Sequence, residues 1–162
     1  MFDRFFPDAY VASTYVIDFE KLYEEGIRAD NTLVPHGAPA DDRAKALFAR
    51  LKKIGYQCCL ISNNQEPRVK MFNQDIQVNY ICDAHKPSTK NYKKAMEIMG
   101  TDVSNTVFVG DQLFTDVWGA KRAGIRNILV KPIHPKEEIQ IVLKRYLEKI
   151  VLYFYQKERK GR

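Results

Sequence analysis

The chain has 162 residues, 45% of them hydrophobic and 28% charged, which is the composition of an ordinary globular protein and suits one folded domain burying roughly 70% of its unfolded surface. No apolar run reaches the ~18 residues of a membrane span, and Met1-Phe2-Asp3-Arg4-Phe5-Phe6 has neither a basic region nor a long apolar core, so a cytoplasmic protein is expected. Of the net charge of +6, residues 131–162 supply +5 from nine Lys/Arg against four Glu. Such a tail is either simply solvated or faces an acidic partner or an anionic membrane surface; no specific nucleic acid is expected.

In chain order, 20–25 reads as a helix, and the segment after it is unusual. Asp30-Asn31-Thr32-Leu33-Val34 looks like an active-site loop, but Glu24-Glu25-Gly26-Ile27-Arg28-Ala29 before it lacks the apolar run of a buried strand. His36 follows, as a loop histidine or as a contact to a leaving group. From 40 to 54, Ala44, Leu47, Phe48, Leu51 and Ile54 keep helical spacing, with Asp41 and Asp42 at the start and Gly55 at the end. Gln57-Cys58-Cys59-Leu60-Ile61 reads as a strand buried on both faces, stopping at Ser62-Asn63-Asn64. With no C-x-x-C pair, Cys58, Cys59 and Cys82 read as reduced thiols and not as a disulfide or zinc framework.

A helix over 67–73, a strand over 79–82, a helix over 90–99, a strand over 106–109, a helix over 116–123 and a last strand over 127–130 complete the pattern. Strand alternating with helix predicts a three-layer α/β domain with a mostly parallel sheet, in which sites sit at the carboxyl ends of strands. The expected organisation is a domain over 1–135 and a basic amphipathic helix and tail over 136–162. In that helix Ile139, Val142, Leu143, Tyr146, Leu147, Ile150, Val151, Tyr153 and Phe154 form an apolar face opposite Lys144, Arg145, Glu148 and Lys149. That face docks on its own domain or a second subunit, or lies in a membrane interface with the basic cluster of 157–162 on anionic lipid.

Three clusters suit a phosphate ligand. Ser62 and Asn63 at a strand end can hydrogen-bond phosphate oxygens, although Ser-Asn-Asn is also a common strand-to-helix turn. Lys86, in His85-Lys86-Pro87, offers a point charge or is an ordinary loop lysine. Gly110-Asp111-Gln112-Leu113-Phe114-Thr115-Asp116 joins a buried strand to a helix, with Asp111 as a hard oxygen ligand for Mg²⁺ and Asp116 ligating directly or orienting a bound water.

In order and spacing these residues resemble the haloacid-dehalogenase (HAD) superfamily of aspartyl-phosphate phosphatases. Asp-Asn-Thr-Leu-Val-Pro, Ile-Ser-Asn-Asn and Gly-Asp-Gln-Leu-Phe-Thr-Asp, with Phe6-Pro7-Asp8-Ala9-Tyr10 near the start, are similar to its YqeG-like branch of subclass IIIA. The resemblance runs from residue 5 to about 133. It implies a Rossmann-like core with no cap domain and a Mg²⁺-dependent phosphomonoester hydrolase that works through an aspartyl-phosphate. It also implies phosphate binding by Ser62, Asn63 and Lys86, metal binding by Asp30, Asp111 and Asp116, and catalysis by Asp30, Thr32 and Lys86. The substrate is a phosphorylated small molecule or a lipid headgroup, and some relatives of the branch act on phosphatidylglycerophosphate.

One departure stands out. The family's first motif has an apolar strand ending in two aspartates two residues apart, and only Asp30 is present here. Aligned on Asn31-Thr32-Leu33-Val34-Pro35, Asp30 takes the second, acid/base position, so the nucleophile and its strand are expected to be missing. In another register Asp30 is the nucleophile and Thr32 stands two residues on. Either 10–12 or 14–17 could stand in as central strand. A homo-oligomer, and a catalytically inactive phosphate- or partner-binding domain, remain alternatives.

Overall fold

A computed structural model describes residues 2–32, 38–131 and 139–161, without the side chains of 32 and 139–143. Its centre is a six-stranded sheet formed by β1 (Ala9–Val11), β2 (Ala29–Thr32), β3 (Gln57–Ile61), β4 (Asn79–Ile81), β5 (Thr106–Gly110) and β6 (Arg126–Val130), in the order β1-β6-β5-β2-β3-β4. Each neighbouring pair is parallel. This is the three-layer α/β core that the alternating pattern predicts.

The alternation of side chains along the strands sorts the core into two faces. Cys58, Leu60, Val107 and Val109 face α1 (Phe19–Glu24), α2 (Asp42–Ile54) and α3 (Glu66–Ile76) through Phe19, Leu22, Leu47, Phe48, Leu51, Val69 and Phe72. Cys59, Ile61 and Phe108 face α4 (Lys90–Met99) and α5 (Trp118–Arg122) through Tyr92, Ala95, Met99 and Ala120. Asp41 caps α2 by accepting the Ala44 N–H, and Gly55 closes it at φ 117°, a left-handed conformation that suits glycine. Burial raises the Cys58 thiol strongly and the Cys59 thiol to about 12, so both are inert.

The expectation of a missing strand before the first motif is corrected here. Ala29-Asp30-Asn31-Thr32 is itself the central strand, between β3 and β5. Neither proposed substitute takes that place: Ala9–Val11 pairs with β6 at the sheet edge, and Thr14–Val16 is a 3₁₀ turn. The physical reason lies in Arg28. In the observed register it stays exposed, stacking on Tyr23 at 3.9 Å and donating to the carbonyls of Tyr23 and Ile27. A two-residue slide of β2 towards the site would carry Arg28 to the level of Cys58, at a cost of several kcal/mol. The register instead buries Asp30 and Asn31 completely.

α6 (Ile139–Lys160) follows the last strand. It packs on the domain through Val151, which joins Leu113, Val117 and Leu129, and through Tyr155, whose ring meets Phe6 edge-on. The predicted facing is corrected for most of this helix. Tyr146, Leu147, Ile150, Tyr153 and Phe154 are exposed, whereas Glu148 is buried.

Asn31 carries the clearest cost of a polar central strand. Its side chain points to the Cys59 and Phe108 face, and neither amide atom makes a hydrogen bond among the described residues. Orphaned buried polar groups cost about 1–3 kcal/mol, so Asn31→Leu should raise the unfolding free energy by about that amount in urea titrations. A lower value would contradict this reading of the strand.

Candidate active site

The loops after β3, β4 and β5 meet at one edge of the sheet. Ser62 extends β3: its N–H donates to the Ile81 carbonyl at 3.0 Å, and its own carbonyl accepts from Ala84 N–H at 2.9 Å. The Ser62 hydroxyl oxygen accepts the Asn64 N–H at 3.0 Å, a short turn that leaves its O–H proton available as a donor. The Asn63 side chain reads both backbone groups of Lys86, accepting from N–H at 2.8 Å and donating to the carbonyl at 3.4 Å. Asn63 therefore fixes Lys86, and its amide is engaged in doing so.

Lys86 reaches inward. Its ammonium lies 2.5 Å from Asp116 Oδ1, with the two side chains 5% and 0% exposed. The other oxygen, Oδ2, accepts the N–H groups of Asp111 at 3.1 Å and Gln112 at 3.0 Å. Gly110 allows this approach, because a Cβ there would lie 2.5 Å from Asp116 Cβ. Leu113–Val117 forms a π-helical turn before α5, where the sequence predicts an α-helix from 116. Tyr92 holds that turn, its hydroxyl 3.1 Å from the carbonyls of both Thr115 and Asp116. Burial, then the Asp116 charge, pushes the Tyr92 hydroxyl far above its ordinary range and keeps it a donor.

Of the predicted residues, Ser62, Asn63, Lys86, Asp111 and Asp116 come together at this edge. Asp30 does not. It pairs in register with Cys58 and Val107, four residues below Ser62 and Asp111, which is about 13 Å along the strand. Its charge adds to burial in raising the Tyr56 hydroxyl and Cys58 thiol, which places it on the α1/α2 face. Thr32 ends β2 level with Leu60 and Val109; its side chain and all of His36 lie outside the described residues. His85 is exposed at φ 51°. A cavity of about 570 Å³ beside Tyr56 and Gln77 lies at the opposite, amino end of the strands, where α/β sheets do not build sites.

Two residues that the sequence assigns to a solvated face also reach the site. Arg145 donates to the Asp111 carbonyl at 2.5 Å and sits 3.6 Å from its carboxylate, and Glu148 accepts the Leu113 N–H at 2.9 Å. Burial raises the Glu148 carboxyl, while Arg145 and the Leu113 N–H oppose the shift. Their i, i+3 spacing is the one signal that pairs them, and it does not tell which way the helix faces.

Residues 6–124 match the family of haloacid dehalogenase-like hydrolases. The chain belongs to that family, as a member of phosphatase type. It is 35% identical over 159 residues to the probable phosphatase YqeG of Bacillus subtilis (strain 168), covering 94% of this chain and 92% of that one. It is 26% identical over 174 aligned positions to the chloroplastic/mitochondrial phosphatidylglycerophosphate phosphatase 1 of Arabidopsis thaliana, covering 88% of this chain and 48% of that one. Among solved structures, the 3-deoxy-D-manno-octulosonate 8-phosphate phosphatase of Moraxella catarrhalis shares the fold, with a TM-score of 0.51 at 13% identity over 67% of this chain and 72% of that one. Among the described residues, α2 is the one helix between β2 and β3, and no cap domain is evident there.

The HAD fold implies Mg²⁺. Both Asp116 oxygens are taken by Lys86 and backbone N–H groups, which suits orienting the loop more than ligating. Asp111 sits at the mouth, and no cluster of three ligating side chains occurs among the described residues. This set fits Mg²⁺ held by one carboxylate with phosphate and water, as that ion prefers, and not a protein cage.

Removing Lys86 would leave the buried Asp116 carboxylate with backbone donors alone. Lys86→Met should cost about 3–5 kcal/mol of unfolding free energy in urea titrations; an unchanged midpoint would contradict the pairing.

Proposed function

We propose that the chain is a Mg²⁺-dependent phosphomonoester hydrolase of HAD type that retains phosphate and metal handling but is impaired in the covalent step. The Ser62 hydroxyl donates to a phosphate oxygen, Lys86 offsets its charge, and Asp111 holds the ion. Mg²⁺, when bound, supplies neutralisation of phosphate charge. Family chemistry also asks for a carboxylate at the end of the first strand to attack phosphorus and expel the alcohol, before water cleaves the acyl-phosphate. The observation that carries the proposal is the register of β2, which leaves Asp30 two residues short of the end of its strand and four residues below the level of Ser62 and Asp111. A serine protease stripped of its nucleophile retains about 10³–10⁴ of rate over water from binding and electrostatics, and the same order is taken for this site. With an aryl phosphate and Mg²⁺, slow turnover at that level is therefore expected. Asp30→Asn should leave it within about 2-fold and Asp111→Asn should abolish it. A loss of about 10³-fold or more in Asp30→Asn would make Asp30 the nucleophile and overturn the proposal. No turnover, with phosphate still bound in calorimetry, would favour a binding domain.

A second reading concerns where the substrate lies. On α6, Tyr146, Leu147, Ile150, Tyr153 and Phe154 are 41–68% exposed, with Lys149, Lys157 and Lys160 also exposed beside them. An exposed apolar stripe flanked by lysines suits the surface of an anionic bilayer, and no helix among the described residues is long and apolar enough to cross one. The Arabidopsis relative carries a lipid phosphate in its name, and a lipid headgroup is the substrate class this reading favours. In vesicle sedimentation, binding to phosphatidylglycerol but not phosphatidylcholine is expected, falling about tenfold or more in Leu147→Ser/Tyr153→Ser. Equal binding by the variant would refute it.

A further inference from the structure

We propose that Glu148 of α6 is a positioning residue for the cation loop, acting through the Leu113 amide, so that the affinity of Asp111 for Mg²⁺ depends on the docked C-terminal helix. The inference rests on the reading of Asp111 as the Mg²⁺ ligand. Three successive N–H groups leave the end of β5. Those of Asp111 and Gln112 are accepted by Asp116 Oδ2, and that of Leu113 by Glu148 Oε1 at 2.9 Å. The Asp111 carbonyl accepts from Arg145 Nη1 at 2.5 Å, and the same nitrogen donates to Glu148 Oε2 at 3.1 Å. The peptide groups on both sides of Asp111 are thus tied down, one by the π-helical turn and one by α6. Two backbone dihedrals set where the Asp111 Cα–Cβ bond points, and fixing the peptide groups around them fixes the base from which the carboxylate swings.

Glu148 is 7% exposed, and burial raises its carboxyl. Placing a carboxylate here costs stability that an apolar side chain would not, and what the carboxylate gains is the bond to the loop and the pair with Arg145, which itself holds the Asp111 carbonyl. Its helix is held in turn by Val151, packed with Leu113, Val117 and Leu129. Docking of α6 and the aim of Asp111 therefore share one set of contacts. Through linkage, whatever strengthens one strengthens the other.

The test uses the full chain and two variants of nearly equal length. Glu148→Gln keeps an oxygen that accepts the Leu113 N–H; Glu148→Met fills the same space with no acceptor. Mg²⁺ binding is measured by calorimetry below the unfolding transition, with Asp111→Asn as control. Glu148→Met should weaken Mg²⁺ by about 10–100-fold, the usual loss when the support of a metal ligand is removed, and Glu148→Gln should stay within about 3-fold of the parent. Amide exchange gives a second readout that involves no turnover: Mg²⁺ should slow exchange along 144–155 in the parent and in Glu148→Gln, but not in Glu148→Met. If Asp111→Asn abolishes binding while Glu148→Met binds as the parent does, the positioning role is overturned and the Mg²⁺ reading stands. If the parent binds no Mg²⁺, or Asp111→Asn binds as well as the parent, both fall.

Discussion

The carboxylate of Asp116 is the contact on which the site depends. It is fully buried, accepts the Lys86 ammonium on one oxygen and two backbone N–H groups on the other, and lies where Gly110 leaves no room for a Cβ. In a low-dielectric interior such a charge is tolerable when paired and fully hydrogen-bonded. Its satisfaction joins the loop after β5 to the loop after β4, far apart in sequence. Lys86 is in turn fixed by Asn63 beside Ser62, and Asp111 by the turn that Asp116 closes. A phosphate-sized anion at this edge would meet donors that are already aimed, which is the condition for electrostatic assistance without reorganisation.

The central strand poses the opposite problem. A parallel strand covered on both faces is ordinarily a run of apolar residues, whereas Ala29-Asp30-Asn31-Thr32 is mostly polar. Arg28 and Asp30 compete for the interior, and the observed register keeps the guanidinium at the edge on Tyr23 while the carboxylate goes inside. That choice separates Asp30 from the site groups. Fold and chemistry pull in opposite directions here, because a slide that raised Asp30 would sink Arg28.

Much of this was legible in the sequence, and the reason differs from element to element. β3 and α4 begin and end where their apolar runs do, because periodicity and Gly breakers act locally. Strand ends in a parallel sheet placed Ser62, Asn63, Asp111 and Asp116 together, and the family resemblance added Lys86. Three features were not legible. A four-residue polar strand carries no apolar signal, and only its neighbours β3 and β5 define it. The π-helical turn over Leu113–Val117 depends on Tyr92 and Asp116 closing onto it. The facing of α6 was misread because both of its sides carry apolar residues; what decides is the pair Arg145 and Glu148 finding partners at Asp111 and Leu113.

In the function we propose, the groups for phosphate and cation are assembled around Asp116, and the register of β2 holds the Asp30 carboxylate out of their reach. A crystal structure of the full chain with Mg²⁺ and beryllofluoride, which mimics an aspartyl-phosphate, tests this most directly. The expected result is the ion beside Asp111 and the fluoride between Ser62 and Lys86, with Asp30 still level with Cys58 and Val107. A beryllium bonded to the Asp30 carboxylate, with β2 shifted towards the mouth, would contradict it.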